Sequence, residues 1–591
     1  MCDLNRPAWL TPSELRIGLG CMRLSTDESR DEERADATIA AAVEAGITVF
    51  DTARAYGHGE FELGHNEHLL AAALRRCGAE RRARVVTKGG MTRAAGAWVP
   101  DGRAKAIIGD CQASLGALDG VPIDLYLLHA PDPRTPWRTS VRALARLVDD
   151  GSVRRVGLSN VNRRQLDEAL ELAPVAAVEV ALSVYDDHAL RGGIVERCAE
   201  RAIAVIAHSP LGGPRRASGL ARRPPVADVA AAHGATPAEV ALAWLLALSP
   251  AVVAIPGARH PETARGAARA ATLRLDAGER AVLTRAFGGP GPSRGPPPRP
   301  ADDAEVVLVI GIPGAGKSRV AEQYVARGYL RLNRDERGGG LRELADALDR
   351  ALSAGARRIV LDNTYLSRAS RNQVIETASR HAIPARCVWL STPLAPAQVN
   401  LVERLLERVG TLPSPDELRR LARREPGVLT PTAQMRTLRE FEPPSTDEGF
   451  AGVEELPFAR AQRSGPARTG VFVAAAALQH QGWEHALDGG DRTAPHLVFD
   501  WRPNGAPDAL DQCVARLRAA VSGPVEGALC PHSGGPPSCW CRPPLPGLPL
   551  AFARAHGLDP SRSILVGATV AHRTMAAALG ARYVPAAPPV P

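Results

Sequence analysis

The spacing of apolar residues changes period repeatedly along the first half of the chain. Short apolar runs that end in a polar residue alternate with stretches whose apolar positions recur at helical spacing. The runs at 47–50, 84–87, 124–128, 155–158, 177–182, 204–207 and 252–255 are predicted strands. With the helices between them they amount to about eight β-α repeats over roughly 250 residues, which predicts a (β/α)8 TIM barrel over residues 14–287. A run rich in proline and glycine, 288–303, follows and predicts a semi-extended linker. Beyond it the β-α alternation resumes twice, once over 304–460 and once over 466–591, each time opening on a fully apolar strand.

The second opening strand, 306–310, runs into Gly311-Ile312-Pro313-Gly314-Ala315-Gly316-Lys317-Ser318. That is a complete G-x-x-x-x-G-K-[ST] match, so a P-loop NTPase α/β domain is predicted here. Gly311, Gly314 and Gly316 let the backbone aim its N–H groups at a phosphate. Lys317 reaches the outer phosphate oxygens of ATP, and Ser318 offers its hydroxyl to Mg²⁺ at a helix start.

At 591 residues the chain is too long for one core, and 45% hydrophobic with 23% charged residues is ordinary globular composition. The net charge of +8 suits an acidic partner but is mild for this length. Only Lys88, Lys105 and Lys317 are lysines in an arginine-rich chain. Arginine does not replace an ammonium that must act as a compact point charge, and two of the three lysines fall inside motifs. The start of the sequence lacks a basic-then-apolar signal and no apolar run is long enough to span a bilayer, so a cytoplasmic protein without membrane contact is expected.

Within the barrel segment, polar residues stand where strands end, the rim that holds active sites in this fold. Asp51 and Tyr56 lie in Asp-Thr-Ala-Arg-Ala-Tyr-Gly, Lys88 ends Arg-Val-Val-Thr-Lys, and His129 ends Asp-Leu-Tyr-Leu-Leu-His. These elements resemble the aldo-keto reductase superfamily. The resemblance implies that Tyr56 protonates the carbonyl oxygen of a small-molecule substrate during hydride transfer. It also implies that Lys88, held by Asp51, lowers the Tyr56 pKa and that His129 orients the carbonyl. For the coenzyme it implies Ser159 and Asn160 on the nicotinamide amide, Glu179 where glutamine is usual, and His208 where a tyrosine stacks on the ring. Ser209, Leu211 and Gly212 would line the pyrophosphate. Pro256, Gly257 and Arg259 resemble the loop over a 2′-phosphate, which favours NADP(H). The adenine-clasping pair of the family is replaced by Gly266-Ala267. Trp98 and the loop 131–137 are expected to line the substrate pocket.

In the P-loop segment, Leu330-Arg331-Leu332-Asn333-Arg334-Asp335, Asp362-Asn363-Thr364 and the helix carrying Arg404 and Arg408 resemble polynucleotide 5′-kinases. The resemblance implies Asp335 as the base for a 5′-hydroxyl on nucleic acid and Asp362 on the acceptor or Mg²⁺. Arg404 and Arg408, four apart on one helical face, would point at the transferring phosphoryl group. The last segment resembles haloacid-dehalogenase (HAD)-like phosphatases of the histidinol-phosphatase branch, implying a HAD-like Rossmannoid domain. Its defining aspartates are missing from 470–478 and 563–572, which removes the nucleophile and the metal ligands. Cys530-x-His532 and Cys539-x-Cys541 have the spacing of a structural zinc loop. Two other readings are open: a coenzyme-sensing barrel that gates the kinase, and a small-molecule kinase acting on the reductase's alcohol product.

Overall fold

The structure is a computed structural model that describes residues 9–27, 29–94, 96–287, 304–460, 468–488, 490–503 and 508–586. The chain divides into two compact units, Met1–Arg294 and Gly295–Pro591. The linker expected at 288–303 lies outside the described residues, as does 461–467.

In the first unit eight parallel strands form one sheet: β1 (Gly18–Gly20), β2 (Val49–Asp51), β3 (Arg84–Gly89), β6 (Ile123–Leu128), β7 (Val156–Ser159), β8 (Val175–Ala181), β9 (Ala204–His208) and β10 (Val252–Ile255). Bridges Ile17–Ala254 and Gly20–Gly257 join the first strand to the last and close the barrel. The interior is apolar, with Val49, Val86, Leu125, Leu127, Ala177, Ile206 and Val253 in one buried cluster, so the barrel is a packed core and its chemistry is confined to the rim. Between β3 and β6 the chain folds out as a hairpin, β4 (Met91–Ala94) and β5 (Ala97–Pro100), which the strand pattern does not predict. Several strand bounds differ from expectation by one or two residues; β3, for instance, runs on through Lys88 and Gly89.

The second unit holds two five-stranded parallel sheets. The first comprises β11 (Glu305–Ile310), β12 (Leu330–Leu332), β13 (Arg358–Asp362), β14 (Ala385–Leu390) and β15 (Gly452–Leu456) in the order β12-β13-β11-β14-β15. The P-loop therefore leaves the central strand, at the point where connections diverge to either side, which is where parallel sheets bind ligands. The second comprises β16 (Val471–Ala474), β17 (His496–Trp501), β18 (Val525–Cys530), β19 (Ile564–Gly567) and β20 (Arg582–Pro585) in the order β18-β17-β16-β19-β20. Each sheet has its own apolar core, and one helix of the first is buried in the core of the second. Helix Leu394–Val409 sends Val399, Leu401, Val402, Leu405 and Leu406 into the same apolar cluster as Phe472, Leu550, Met575 and Leu579.

Among the described residues no single helix is long and apolar enough to cross a membrane. The bent pair Pro224–Ala232 and Pro237–Ala247 meets that composition, and its apolar residues Val226, Val240, Leu242 and Leu245 belong to the barrel core.

Candidate functional site

At the C-terminal rim of the barrel, three strands converge on a buried ammonium. Lys88, wholly buried near the end of β3, donates to Asp51 Oδ2 at 2.5 Å, to the Thr52 carbonyl at 3.1 Å and to the Tyr56 hydroxyl at 3.4 Å. Tyr56 is 7% exposed, and its ring meets His129 edge-on at 5.6 Å and Trp98 at 5.9 Å. The four residues expected to act together are thus brought together. Sequence reasoning does not anticipate the Thr52 carbonyl, because a backbone acceptor carries no residue signature. Nor does it anticipate Arg93, whose guanidinium lies 4.1 Å over the Trp98 ring.

Glu179 is the departure with the largest electrostatic effect. It was expected to meet the coenzyme amide, yet its Oε2 lies 3.2 Å from Lys88 Nζ, buried and without a hydrogen-bond partner. One ammonium therefore faces two carboxylates. Burial alone would lower the Lys88 pKa, but Asp51 and then Glu179 outweigh it and hold the ammonium charged. Burial, with Glu179 adding to it and Lys88 opposing, raises Asp51 well above the carboxylate range. Lys88 pulls the Tyr56 pKa down in the expected direction, but the net shift is upward. Burial pushes the phenol up, and the pull of Lys88 is offset by Asp51 and Glu179. The phenol is therefore protonated at neutral pH. Burial, then Lys88 and His208, brings His129 down to about 3, so its imidazole is neutral there.

The residues assigned to the coenzyme ring form one polar edge beside this cluster. Asn160 donates to the His129 carbonyl at 3.0 Å and to Ser159 Oγ at 3.1 Å, and its Oδ1 lies 3.2 Å from His208 Nε2. His208 Nδ1 lies 3.3 Å from Ser209 Oγ, and Gly212 turns the chain with a positive φ. Arg259 donates to Asp27 Oδ2 at 2.9 Å and to Ser29 Oγ at 3.2 Å across the rim. Gly266 and Ala267 are buried on helix Pro261–Thr272 and bring no polar side-chain atom to an adenine. Trp98 stands beside Tyr56 and His129, whereas Trp137 does not. It donates to the Gln165 carbonyl at 3.1 Å and packs on the barrel core.

In the second unit the P-loop wraps the start of helix Lys317–Val325. Gly314 has φ +86°, and a Cβ there would run into the Ala397 carbonyl, so only glycine fits. Lys317 donates back to the carbonyls of Gly311 (3.0 Å) and Ile312 (3.1 Å). Burial brings its pKa down to about 8, with Asp362 opposing and Arg404 pushing the same way. The loop is braced by three donors that motif reading passes over: Asn400 to the Gly314 carbonyl (2.7 Å), Gln434 to Pro313 (3.0 Å) and Thr392 to Ala315 (3.1 Å). Ser318 is exposed at the helix start, where a metal-bound phosphate would sit.

The acceptor side differs from expectation at Asp362. Both of its oxygens accept from Arg331, at 2.9 and 2.6 Å, and its side chain is almost fully buried. As placed it is not a metal ligand; it fixes Arg331 beside the short helix Arg334–Arg337, which Asn333 caps and which carries the half-exposed Asp335. Arg404 and Arg408 both bring a guanidinium nitrogen to Gly427 but differ in what else they meet. Arg404 lines the cleft at the P-loop, whereas Arg408 donates to the Pro426 carbonyl at 2.8 Å.

The four predicted zinc ligands form one cluster, their donor atoms all within 4.8 Å of one another. Neighbouring pairs are 3.2 to 3.7 Å apart: His532 Nδ1 to Cys541 Sγ at 3.2 Å, Cys541 to Cys530 at 3.4 Å, Cys530 to His532 at 3.5 Å and Cys530 to Cys539 at 3.7 Å. A tetrahedron with metal–sulfur bonds of about 2.3 Å has edges of roughly 3.5 to 3.8 Å, so the set fits zinc. Cys539 and Cys541 flank Trp540, which donates to the Leu429 carbonyl at 3.0 Å. The C-terminal tips of β16 and β19 carry alanines, Ala474–Ala477 and Ala568, where a phosphatase would present carboxylates.

Comparison with known proteins agrees with this division. A model of the aldo/keto reductase family matches residues 16–286, and one described as an AAA domain matches residues 306–425. The chain is 30% identical over 274 residues to "Probable aldo-keto reductase 1" of Glycine max, covering 41% of this chain and 76% of that protein. It is also 30% identical over 289 residues to the aldo-keto reductase str7 of Strobilurus tenacellus, covering 43% and 81%. A solved aldo/keto reductase from Klebsiella pneumoniae, in complex with NADP and acetate, is 27% identical. It covers 47% of this chain and 93% of its own, with a TM-score of 0.40. Through its first unit the chain belongs to the aldo/keto reductase family, a family of oxidoreductases; the second unit carries a P-loop domain.

Proposed function

We propose that the chain is a fusion enzyme. The barrel carries out NADP(H)-dependent carbonyl and alcohol oxidoreduction, and the P-loop domain transfers phosphate from ATP to a hydroxyl, that of a nucleic-acid 5′ end. The observation that carries the first activity is the contact of one buried ammonium, Lys88, with both Asp51 and the Tyr56 hydroxyl. Tyr56, protonated and anchored, donates its proton to the carbonyl oxygen as that oxygen gains charge. His129, neutral, orients the carbonyl, and its buried unpartnered Nδ1 marks a polar group left for something absent here. Ser159, Asn160 and His208 would hold the nicotinamide end, and Arg259 would meet a 2′-phosphate on release from Asp27. When bound, the coenzyme supplies hydride to the carbonyl carbon.

For the kinase, Lys317 and the loop N–H groups would hold the phosphates, Ser318 the Mg²⁺, and Arg404 the charge on the transferring group. Asp335, half-exposed on its short helix and close enough for its charge to act on Lys317, would accept the hydroxyl proton. The C-terminal sheet would be a HAD-like fold that has lost phosphatase chemistry and keeps a structural zinc at Cys530, His532, Cys539 and Cys541. NADPH oxidation against a panel of aldehydes and ketones tests the first activity. Tyr56→Phe is expected to lower it by about 10²–10⁴-fold while coenzyme binding persists. Coenzyme binding with no turnover in wild type would favour the coenzyme-sensing reading, and equal turnover in the variant would remove Tyr56 from the mechanism. Transfer from labelled ATP to a 5′-hydroxyl oligonucleotide, lost in Lys317→Ala, tests the second; transfer to small alcohols alone would replace the nucleic-acid acceptor with a metabolite.

A further inference from the structure

A cleft of about 630 Å³ opens beside the P-loop within the second unit. One end is floored by Gly314, Gly316 and Arg319 of the loop and its helix. Asn400 and Arg404 line the cleft as well, whereas Lys317, Ser318, Asp335 and Asp362 do not, so it adjoins the phosphate loop at Gly314–Gly316 on the side of helix Leu394–Val409. Its size is that of a pocket for a nucleotide-sized ligand. The far wall comes from two sources. Phe458 and Arg460, just after β15, form one part, with the guanidinium 5.8 Å from the ring. Leu550, Asp559, Ser561 and Leu579, all from the C-terminal sheet's half of the unit, form the rest.

This wall is fixed to the kinase sheet. Arg460 donates to the Ala578 carbonyl, and the helix bearing Asn400 and Arg404 is buried in the C-terminal core. Asp559 Oδ1 accepts from the Ser561 N–H at 2.9 Å and its hydroxyl at 2.7 Å, which holds the 559–561 turn rigid at the cleft edge. A nucleoside placed here would meet the Phe458–Arg460 pair and the 559–561 turn, with its phosphates directed at the loop.

We propose that the C-terminal half of the second unit serves as a wall of the kinase's nucleotide site, binding the base-and-ribose end of ATP. The proposal rests on the P-loop reading above and gives the phosphatase-like half a ligand-binding role in place of hydrolysis. Calorimetric titration of the full chain with ATP and, separately, with inorganic triphosphate tests it. Wild-type protein is expected to bind ATP at least tenfold more tightly than triphosphate. Ser561→Trp fills the cleft from the C-terminal side at a half-exposed position. It is expected to weaken ATP at least tenfold and to leave triphosphate within twofold. Phe458→Ala is expected to weaken ATP alone in the same way. ATP affinity unchanged in Ser561→Trp, or both ligands weakened alike, overturns the proposal. Wild-type protein that binds neither ligand overturns the P-loop reading itself, a result distinguishable from these.

Discussion

Restoring the usual residue at Glu179 separates the charge of that carboxylate from its shape. In Glu179→Gln the side chain keeps its size, but Lys88 loses one of its two anionic neighbours. Glu179 Oε2 is 3.2 Å from Lys88 Nζ and Lys88 is 3.4 Å from the Tyr56 oxygen, so the carboxylate lies within about 7 Å of the phenol. At an effective dielectric near 20, a unit charge at that distance opposes phenolate by about 2.4 kcal/mol, or close to 2 pH units. Water in the pocket reduces this, and the expected shift is about 1 to 2 units downward. Alcohol oxidation needs the phenolate as base, so its rate rises with pH through the Tyr56 pKa. In the variant that rise moves to lower pH, and carbonyl reduction, which needs the phenol, declines at lower pH as well. Neutralising the carboxylate also removes its attraction to Lys88, about 5 kcal/mol on the same footing, but this is offset by repulsion relieved at Asp51, so the unfolding temperature should move by only a few degrees. The assay is kcat/KM for both directions between pH 6 and about 11. An oxidation profile that stays in place or moves upward, with coenzyme affinity intact, would refute the electrostatic reasoning.

Two further outcomes follow from the second unit. Burial brings Lys317 down to about 8 in the free protein, and on the proposed reading ATP would bind the charged form. Affinity should therefore fall by about tenfold between pH 7 and pH 9, as protonated Lys317 drops from about nine-tenths to one-tenth; Lys317→Arg, which stays charged, should flatten the profile. A flat wild-type profile would show that Lys317 does not titrate there. Elemental analysis should find about one zinc per chain. Its removal by a chelator should lower the unfolding temperature of the second unit and its affinity for ATP while leaving NADPH oxidation unchanged. The route is Trp540, which ties the cysteine cluster to Leu429, in the same segment as Pro426 and Gln434. Absence of stoichiometric zinc, or chelation without effect on either reading, would remove the metal from the account.

Features local in sequence were legible. Asp51 and Tyr56 sit five residues apart after one strand, and Gly311 to Ser318 form one loop, so spacing alone placed them. Features set by packing between distant segments were not. Arg331 and Asp362 meet because β12 and β13 are adjacent in register, Leu332 beside Leu361, which no run of residues announces. Glu179 was assigned to the coenzyme because it stands where the resemblance has glutamine; its partner Lys88 comes from β3, which does not pair with β8 and lies some ninety residues earlier in the chain. Trp98 lies beside Tyr56 while Trp137 packs on the barrel core, a difference the sequence does not show. Each is an aromatic in a loop-like stretch, and only the hairpin at Met91–Pro100 distinguishes them.

One helix packed into both halves explains how the C-terminal sheet supports the P-loop. Helix Leu394–Val409 has two working faces. On one, Ala397 lies against Gly314 and Asn400 holds its carbonyl, which sets the loop's shape. On the other, Val399, Leu401, Val402, Leu405 and Leu406 are buried with the C-terminal sheet. Exposing five such side chains would cost roughly 8–15 kcal/mol, comparable to the stability of an entire domain. Loss of the C-terminal half would therefore release the helix, and with it both Arg404 and the brace on Gly314. On this physics the C-terminal half is part of the P-loop domain's foundation whether or not it touches a ligand. A variant that keeps the core but fills the cleft, such as Ser561→Trp, can separate the supporting role from the binding one.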